Sequence, residues 1–251
     1  MTLNLFKTSL LFAALLGVSL AQTAELKLAV ASNFVQPAKD IAAEFEKVSG
    51  HTVSITPGAT GKFYAQIVNG APFDILLAAD DEIPAKLEKE ARAVTGTRFT
   101  YATGRLVLWS PKADFVDDGG QVLKSGKFAY LAMANPKVAP YGLAAVQAMQ
   151  KMGVLSALEP KVVQGENIAQ TYQFVVTGNA QLGFVALSQV FQNGKLKSGS
   201  GWIVPENLHD KLRQDAIVLN AGKGSAAATA FMDYLKSEKV KKIISSYGYQ
   251  L

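Results

Sequence analysis

TVSITPGATGKFYAQIVNGAPFDILLA, residues 52–78, reads as strand, loop, helix and strand. Thr52-Val53-Ser54-Ile55 is a strand segment. Phe63 to Val68 is an apolar-periodic run that stops near Asn69-Gly70. Phe73 to Ala78 is almost continuously apolar, as in a strand buried within a parallel sheet. Between the first strand and the helix lies PGATGK, residues 57–62. A phosphate-binding P-loop needs a glycine, four residues and then Gly-Lys-Ser/Thr. Here Phe63 follows Lys62, so no hydroxyl is in place for magnesium, and the position five before Gly61 is Thr56. What remains is Gly58-Ala59-Thr60-Gly61 ahead of a helix, whose first N–H groups are unpaired and face whatever sits above them. On this stretch alone Thr60 reads as a plain N-cap.

The same alternation runs outward in both directions. Leu26 to Val30 is a strand. Pro37 to Val48 is an amphipathic helix with Ile41, Phe45 and Val48 on one face, closed by Ser49-Gly50-His51. Asp80 or Asp81 caps a further helix bearing the solvated run Lys86 to Glu90. This is βαβαβα, an open α/β sheet. RFTYATGRLVLWS, residues 98–110, is long for one strand and holds Gly104 at its middle. It suits a strand that leaves one domain and enters another. Beyond it come strands at 128–134, 162–163, 182–186 and 216–219. Helices are expected at 142–152, 168–176, 226–236 and 240–246. In the first of these, Leu143, Val146, Met149 and Met152 form the apolar side. The fold expected is two α/β lobes with a cleft between them and two chain crossings. Lobe 1 is 25–103 plus 205–251, and lobe 2 is 104–204.

Residues 1–24 form a separate object. Lys7 is the only charge before Glu25, and Leu10 to Leu20 is an apolar core too short to span a bilayer comfortably. Ser19-Leu20-Ala21 supplies small residues at the minus-three and minus-one positions. This reads as a secretory signal peptide, cut after Ala21 or Ala24, and it places the mature chain outside the cytoplasm, in the periplasm of a Gram-negative organism. The sequence has no cysteine, which excludes disulfides, thiolate catalysis and cysteine-ligated metals. The formal charge of +5 falls by one when Lys7 leaves. No basic run with interleaved aromatics suggests nucleic acid. A monomer is expected.

In open α/β sheets ligands bind beyond the carboxyl ends of the strands. The loops there are Ala31-Ser32-Asn33-Phe34, Gly58-Ala59-Thr60-Gly61, Asn135 to Gly142, and Gly165-Glu166-Asn167-Ile168. Each precedes a helix, so four helix N-termini can converge between two domains. They offer the hydroxyls of Ser32, Thr60 and Tyr141 together with backbone N–H groups. A fully ionised oxyanion needs donors and no acceptors, and helix N-termini add partial positive charge. Glu166 is the only acid in these loops, with helix capping as its blander role. No catalytic set is apparent. His51 and His209 read as surface residues, Asp80-Asp81-Glu82 as helix caps before a hard-cation site, and Asp74 as a partner of nearby backbone. Lys62 and Lys137 read as solvated surface.

Taken together, Ala31 to Phe34, Gly58 to Gly61, Asn69 to Asp74, Asn135-Pro136 through Ala139-Pro140-Tyr141-Gly142, Gly183 to Ala186 and Tyr247-Gly248-Tyr249 resemble the periplasmic molybdate-binding proteins of ABC transporters. The resemblance covers essentially the whole mature chain. It implies a periplasmic binding protein type II fold that closes on molybdate, and on tungstate, without a cofactor and without catalysis, and delivers the ion to an ABC permease in the inner membrane. The ligand contacts it implies are Ser32 (hydroxyl and N–H), the Asn33 N–H, Thr60 (hydroxyl and N–H), Tyr141 and the Ile168 N–H. One common form of the family has a serine-rich second loop, where this chain has Thr60, and a tyrosine at the position of Ala186. Tyr141 matches another branch, which supplies its phenol from the loop after Ala139-Pro140. Three alternatives stay open: a binding protein for sulfate, one for a small organic acid with Arg105 as the nearby clamp, or a periplasmic lyase or dehydratase using Glu166 and Lys137.

Overall fold

The computed structural model describes residues 24–251; the signal peptide expected for residues 1–24 lies, but for Ala24, outside the described residues. Twelve strands and ten α-helices alternate along the described chain. The strands are β1 (Glu25–Ala31), β2 (Thr52–Gly58), β3 (Ile75–Leu77), β4 (Phe99–Gly104), β5 (Leu106–Ser110), β6 (Leu131–Ala134), β7 (Val162–Gly165), β8 (Leu182–Ala186), β9 (Phe191–Gln192), β10 (Lys195–Leu196), β11 (Ser200–Ile203) and β12 (Leu212–Val218). The helices are α1 (Val35–Ser49), α2 (Thr60–Val68), α3 (Glu82–Lys89), α4 (Val122–Ser125), α5 (Pro140–Lys151), α6 (Leu155–Leu158), α7 (Ile168–Val176), α8 (Leu187–Val190), α9 (Ala226–Leu235) and α10 (Glu238–Ser246).

Two five-stranded sheets organise them. The first has the order β2-β1-β3-β12-β4, the second β11-β5-β8-β6-β7. In the first, β1 runs parallel to both β2 and β3, whereas β12 is antiparallel to β3 and β4. The chain leaves this sheet at Gly104, passes Arg105, and enters the second sheet at Leu106. It returns after β11 through Val204 to Lys211 and re-enters the first sheet as β12. This is the two-lobed type II arrangement of binding proteins, with two crossings at the base of the cleft.

Both faces of each sheet are covered, which explains the apolar strands. On the first sheet, Phe34, Ile41, Phe45 and Phe231 of α1, α9 and their surroundings pack over Leu28, Val30 and Leu77. Phe63, Ile67 and Leu87 of α2 and α3 cover the other side, against Leu76 and Ile217. On the second sheet α5 packs over Leu108, Met133 and Phe184. Val175 and Leu187 close the opposite face over Trp109 and Val185. α1 stops at Gly50, whose φ of 73° puts it in the left-handed region and lets its N–H cap the Glu46 carbonyl.

Three local readings change. The buried side of α5 is Tyr141, Ala144, Ala145, Ala148 and Met149, while Leu143 is exposed at the cleft rim. Met149 is buried as expected, but alanines make up most of that side because α5 approaches the sheet closely. A Cβ on Gly142 would lie 2.2 Å from the Ala134 carbonyl oxygen. His209 is buried and not on the surface. Its loop is fastened to α5 by hydrogen bonds between Gln147 and Asp210 and from Lys151 to the Asn207 carbonyl, and its Nδ1 donates to the Asp210 carbonyl (2.7 Å). Strand β11 and the small β9–β10 hairpin have no counterpart in the periodicity reading; they are short and rich in Ser, Gly and Lys.

Candidate functional site

Four helical segments begin at the cleft, directly after β1, β2, β6 and β7, and enclose a small cavity. It is lined by Ala31, Ser32, Asn33, Gly58, Ala59, Thr60, Ala79, Ala139, Pro140, Tyr141 and Ile168. The space open to the centres of water-sized atoms is about 10 Å³, room for about one water and far below the size of an organic-ligand pocket. No charged side chain lines it. All five residues that the resemblance implied, Ser32, Asn33, Thr60, Tyr141 and Ile168, therefore line one cavity. Arg105, Glu166 and Lys137 do not.

Each segment starts in a way that leaves N–H groups available. In α7 the Asn167 side chain caps Ala169 and Gln170 (both 3.0 Å) and the Thr171 N–H reaches the Asn167 carbonyl. The Ile168 N–H is the first-turn donor left over. In α5, Ala139 is the N-cap and Pro140 occupies the first helical position, which has no N–H to satisfy. Tyr141 is the next donor. In α2 the N-cap is Ala59, not Thr60. Thr60 is one residue into the helix and fully buried. Its hydroxyl accepts from the Ala79 N–H (3.0 Å) at the end of β3. With that lone pair engaged, the hydroxyl proton is free to point at the cavity. Ser32 differs, because its hydroxyl donates to the Gly58 carbonyl (2.9 Å).

Tyr141 also departs from expectation. The residue lines the cavity, but its phenol oxygen is engaged on β12, where it accepts from Gln214 Nε2 (3.1 Å). Burial, and next the neighbouring Tyr249 phenol, push Tyr141 well above the ordinary tyrosine range. Gly104, at the first crossing, has no room for a side chain there: a Cβ would meet the Tyr141 phenol oxygen at 2.1 Å and Gln214 Nε2 at 2.4 Å.

Two contacts span the cleft over the cavity. The Gly61 N–H donates to the Val138 carbonyl (3.0 Å), and Lys62 pairs with Glu166. Lys62 is solvent-exposed, as the sequence predicts, and Glu166 takes a different role from the one expected. Glu166 does not cap α7, since Asn167 does; Lys62 holds the Glu166 carboxyl below its usual range. Asp80, not Asp81, caps α3 through the Ile83 N–H (2.8 Å). Among the described residues no group of three His, Cys, Asp or Glu is placed to hold a metal ion. Asp74 accepts from the Lys27 N–H (2.7 Å) in the neighbouring strand, as anticipated.

A wider groove of about 200 Å³ adjoins the cavity at the cleft mouth. Asp80, Asp81, Glu82 and Ile83 line it from one lobe, and Lys137, Val138, Leu143 and Gln147 from the other. Desolvation by burial, the largest cause, raises the Asp80 carboxyl to about 7.

Residues 26–250 match the family model of bacterial extracellular solute-binding proteins. The molybdate-binding protein ModA of Azotobacter vinelandii is 58% identical over 231 residues, covering 92% of each chain. That of Rhodobacter capsulatus is 49% identical, covering 94% of this chain and 93% of the relative. Among solved structures, a periplasmic molybdate-binding protein of Azotobacter vinelandii superposes with a TM-score of 0.87 at 40% identity, over 90% of this chain and 99% of that one.

Proposed function

The chain belongs to the bacterial extracellular solute-binding proteins, on the ModA molybdate-binding branch, and on that premise we propose that it captures molybdate or tungstate in the cavity between its lobes and delivers the ion to an ABC permease. The observation that carries this reading is the lining itself: a small cavity with helix-start N–H groups, two hydroxyls and no charged side chain. A tetrahedral dianion presents only acceptors, so a wall of donors is complementary to it without any cation. Hydrogen bonds to a charged group contribute about 1.5–3 kcal/mol each. Five to seven of them, against about 4–15 kcal/mol for association, permit affinities from micromolar to nanomolar.

The donors in this reading are the N–H groups of Ser32, Asn33, Thr60, Tyr141 and Ile168, with the Thr60 hydroxyl. Tyr141 contributes its backbone N–H, because the phenol is engaged with Gln214. The protein binds and does no chemistry. Glu166, which would have been the base of a lyase, is committed to Lys62 at the cleft rim, and no arginine lines the cavity to clamp an organic carboxylate. The ion is the cargo and no cofactor is required. Export by the N-terminal segment would place the protein, as a monomer, in the periplasm. The two sheets are the two lobes, with residues 25–103 and 205–251 in one and 104–204 in the other.

Isothermal titration of the mature protein with molybdate, tungstate, sulfate and phosphate tests this. One-to-one binding of molybdate and tungstate far tighter than sulfate is the expected result. No heat with molybdate or tungstate would overturn it.

A further inference from the structure

A buried side chain that touches no part of the anion cavity joins two residues that form it. Gln214 lies in β12, fully buried, beside a register shift between Gln214 and Asp215. Its Oε1 accepts from Asn33 Nδ2 (2.8 Å), and its Nε2 donates to the Tyr141 phenol oxygen (3.1 Å). Asn33 follows β1 in the first lobe; Tyr141 opens α5 in the second. Both line the cavity.

Asn33 is held from every side. Its Nδ2 also donates to the Tyr249 phenol (3.0 Å), and its carbonyl accepts from Tyr249 (2.9 Å) and from Ser188 of the second lobe (2.8 Å). Tyr101 completes the cluster, its phenol 2.9 Å from the Ala78 carbonyl and 3.1 Å from Gln214 Oε1. Such a network fixes geometry because each buried donor and acceptor loses heavily if it moves off its partner. Gly104, with no room for a Cβ, packs the network against the first crossing.

We infer that Gln214 is a positioning residue for the anion site, setting the separation between the Asn33 and Tyr141 walls and so the size of oxyanion the closed cavity prefers. The inference rests on the proposed oxyanion reading. Both anions in question have the same charge and shape and differ in size, so a cavity can separate them only by holding its walls at a fixed distance. A loosened pair of walls binds the larger ion less well and rejects the smaller one less firmly.

The test is the ratio of molybdate to sulfate affinity, by titration calorimetry, in wild type, Gln214→Met, Tyr141→Phe and the double variant. Loss of folded protein alone would lower both affinities equally and leave the ratio unchanged. Gln214→Met is expected to narrow the ratio about tenfold or more, the scale of one misplaced hydrogen bond to a charged group. Tyr141→Phe removes the same bond from its other end, so it should narrow the ratio too, and the double variant should add little. If Gln214→Met does not fold, Tyr141→Phe alone decides. A ratio unchanged in the folded variants, with wild type binding molybdate, overturns the inference and leaves the oxyanion reading standing. A wild type that binds neither anion overturns both.

Discussion

The Gly61 N–H of the first lobe donates to the Val138 carbonyl of the second at 3.0 Å, and a side chain at residue 61 would crowd this approach. A Cβ there would lie 3.0 Å from Val138 Cα and 3.1 Å from its oxygen. The second glycine of PGATGK thus serves lobe contact and not phosphate binding. Gly61→Ala is expected to weaken anion affinity by about 1–3 kcal/mol, the usual cost of overpacking. The thermal midpoint without anion should barely move, since each lobe keeps its own core. Unchanged affinity would show that closure does not bring these backbones together.

The adjoining Lys62–Glu166 pair is exposed on both sides, at 44% and 68% of the side-chain surface. Pairs of this kind contribute little and are screened by salt. Lys62→Ala should speed anion release by no more than about fivefold at low ionic strength, with the difference gone at about 1 M salt, where the screening length is about 3 Å. Stopped-flow release measured at two salt concentrations checks this. A large effect that persists at high salt would mean Lys62 acts on the anion itself.

The two cavity hydroxyls should behave unequally. Thr60 accepts from the Ala79 N–H, so its proton is available to the anion. Ser32 already donates to the Gly58 carbonyl and has to give up that bond to help. Thr60→Ala is expected to cost about 1.5–3 kcal/mol of binding, and Ser32→Ala less than about 1.5. Thr60→Ser should restore most of the affinity. Thr60→Ala also strands the Ala79 N–H, so it should lower folding stability by about 1–3 kcal/mol. Equal losses at the two positions would remove the distinction drawn from their partners.

These assignments separate what local sequence encodes from what it does not. Helix α7 starts at Ile168 and stops at Val176 as its pattern predicts, because Asn167 caps it and its apolar spacing is local. The four loops after β1, β2, β6 and β7 were legible for the same reason: each sits where a strand pattern gives way to a helix. Gln214 gave no such signal. It stands between Arg213 and Asp215, and only the place of β12 between β3 and β4 makes Gln214 and Asp215 central and buried. The direction of the Tyr141 phenol was hidden likewise, since Gln214 is 73 residues away. Lys62 and Glu166, 104 residues apart, each look like surface charges until the lobes meet.

Asp80 gives a prediction with a definite sign. Its carboxyl is raised from 3.8 to about 7, by burial first and then by Glu82, Asp81 and Asp215, against the Ile83 hydrogen bond that lowers it. Lys137 and Lys211 line the same groove. The folded protein therefore keeps this proton up to about pH 7, while the unfolded chain releases it near pH 4. The stabilisation is full below about pH 4, falls by at most about 1.4 kcal/mol per pH unit as pH rises, and is gone above about pH 7. Asp80→Asn keeps an acceptor for the Ile83 N–H and cannot ionise. Urea unfolding at pH 4.5, 6 and 7.5 should show the variant gaining on wild type as pH rises. A constant difference across the three would mean that the Asp80 carboxyl is already ionised in the folded protein at pH 4.5.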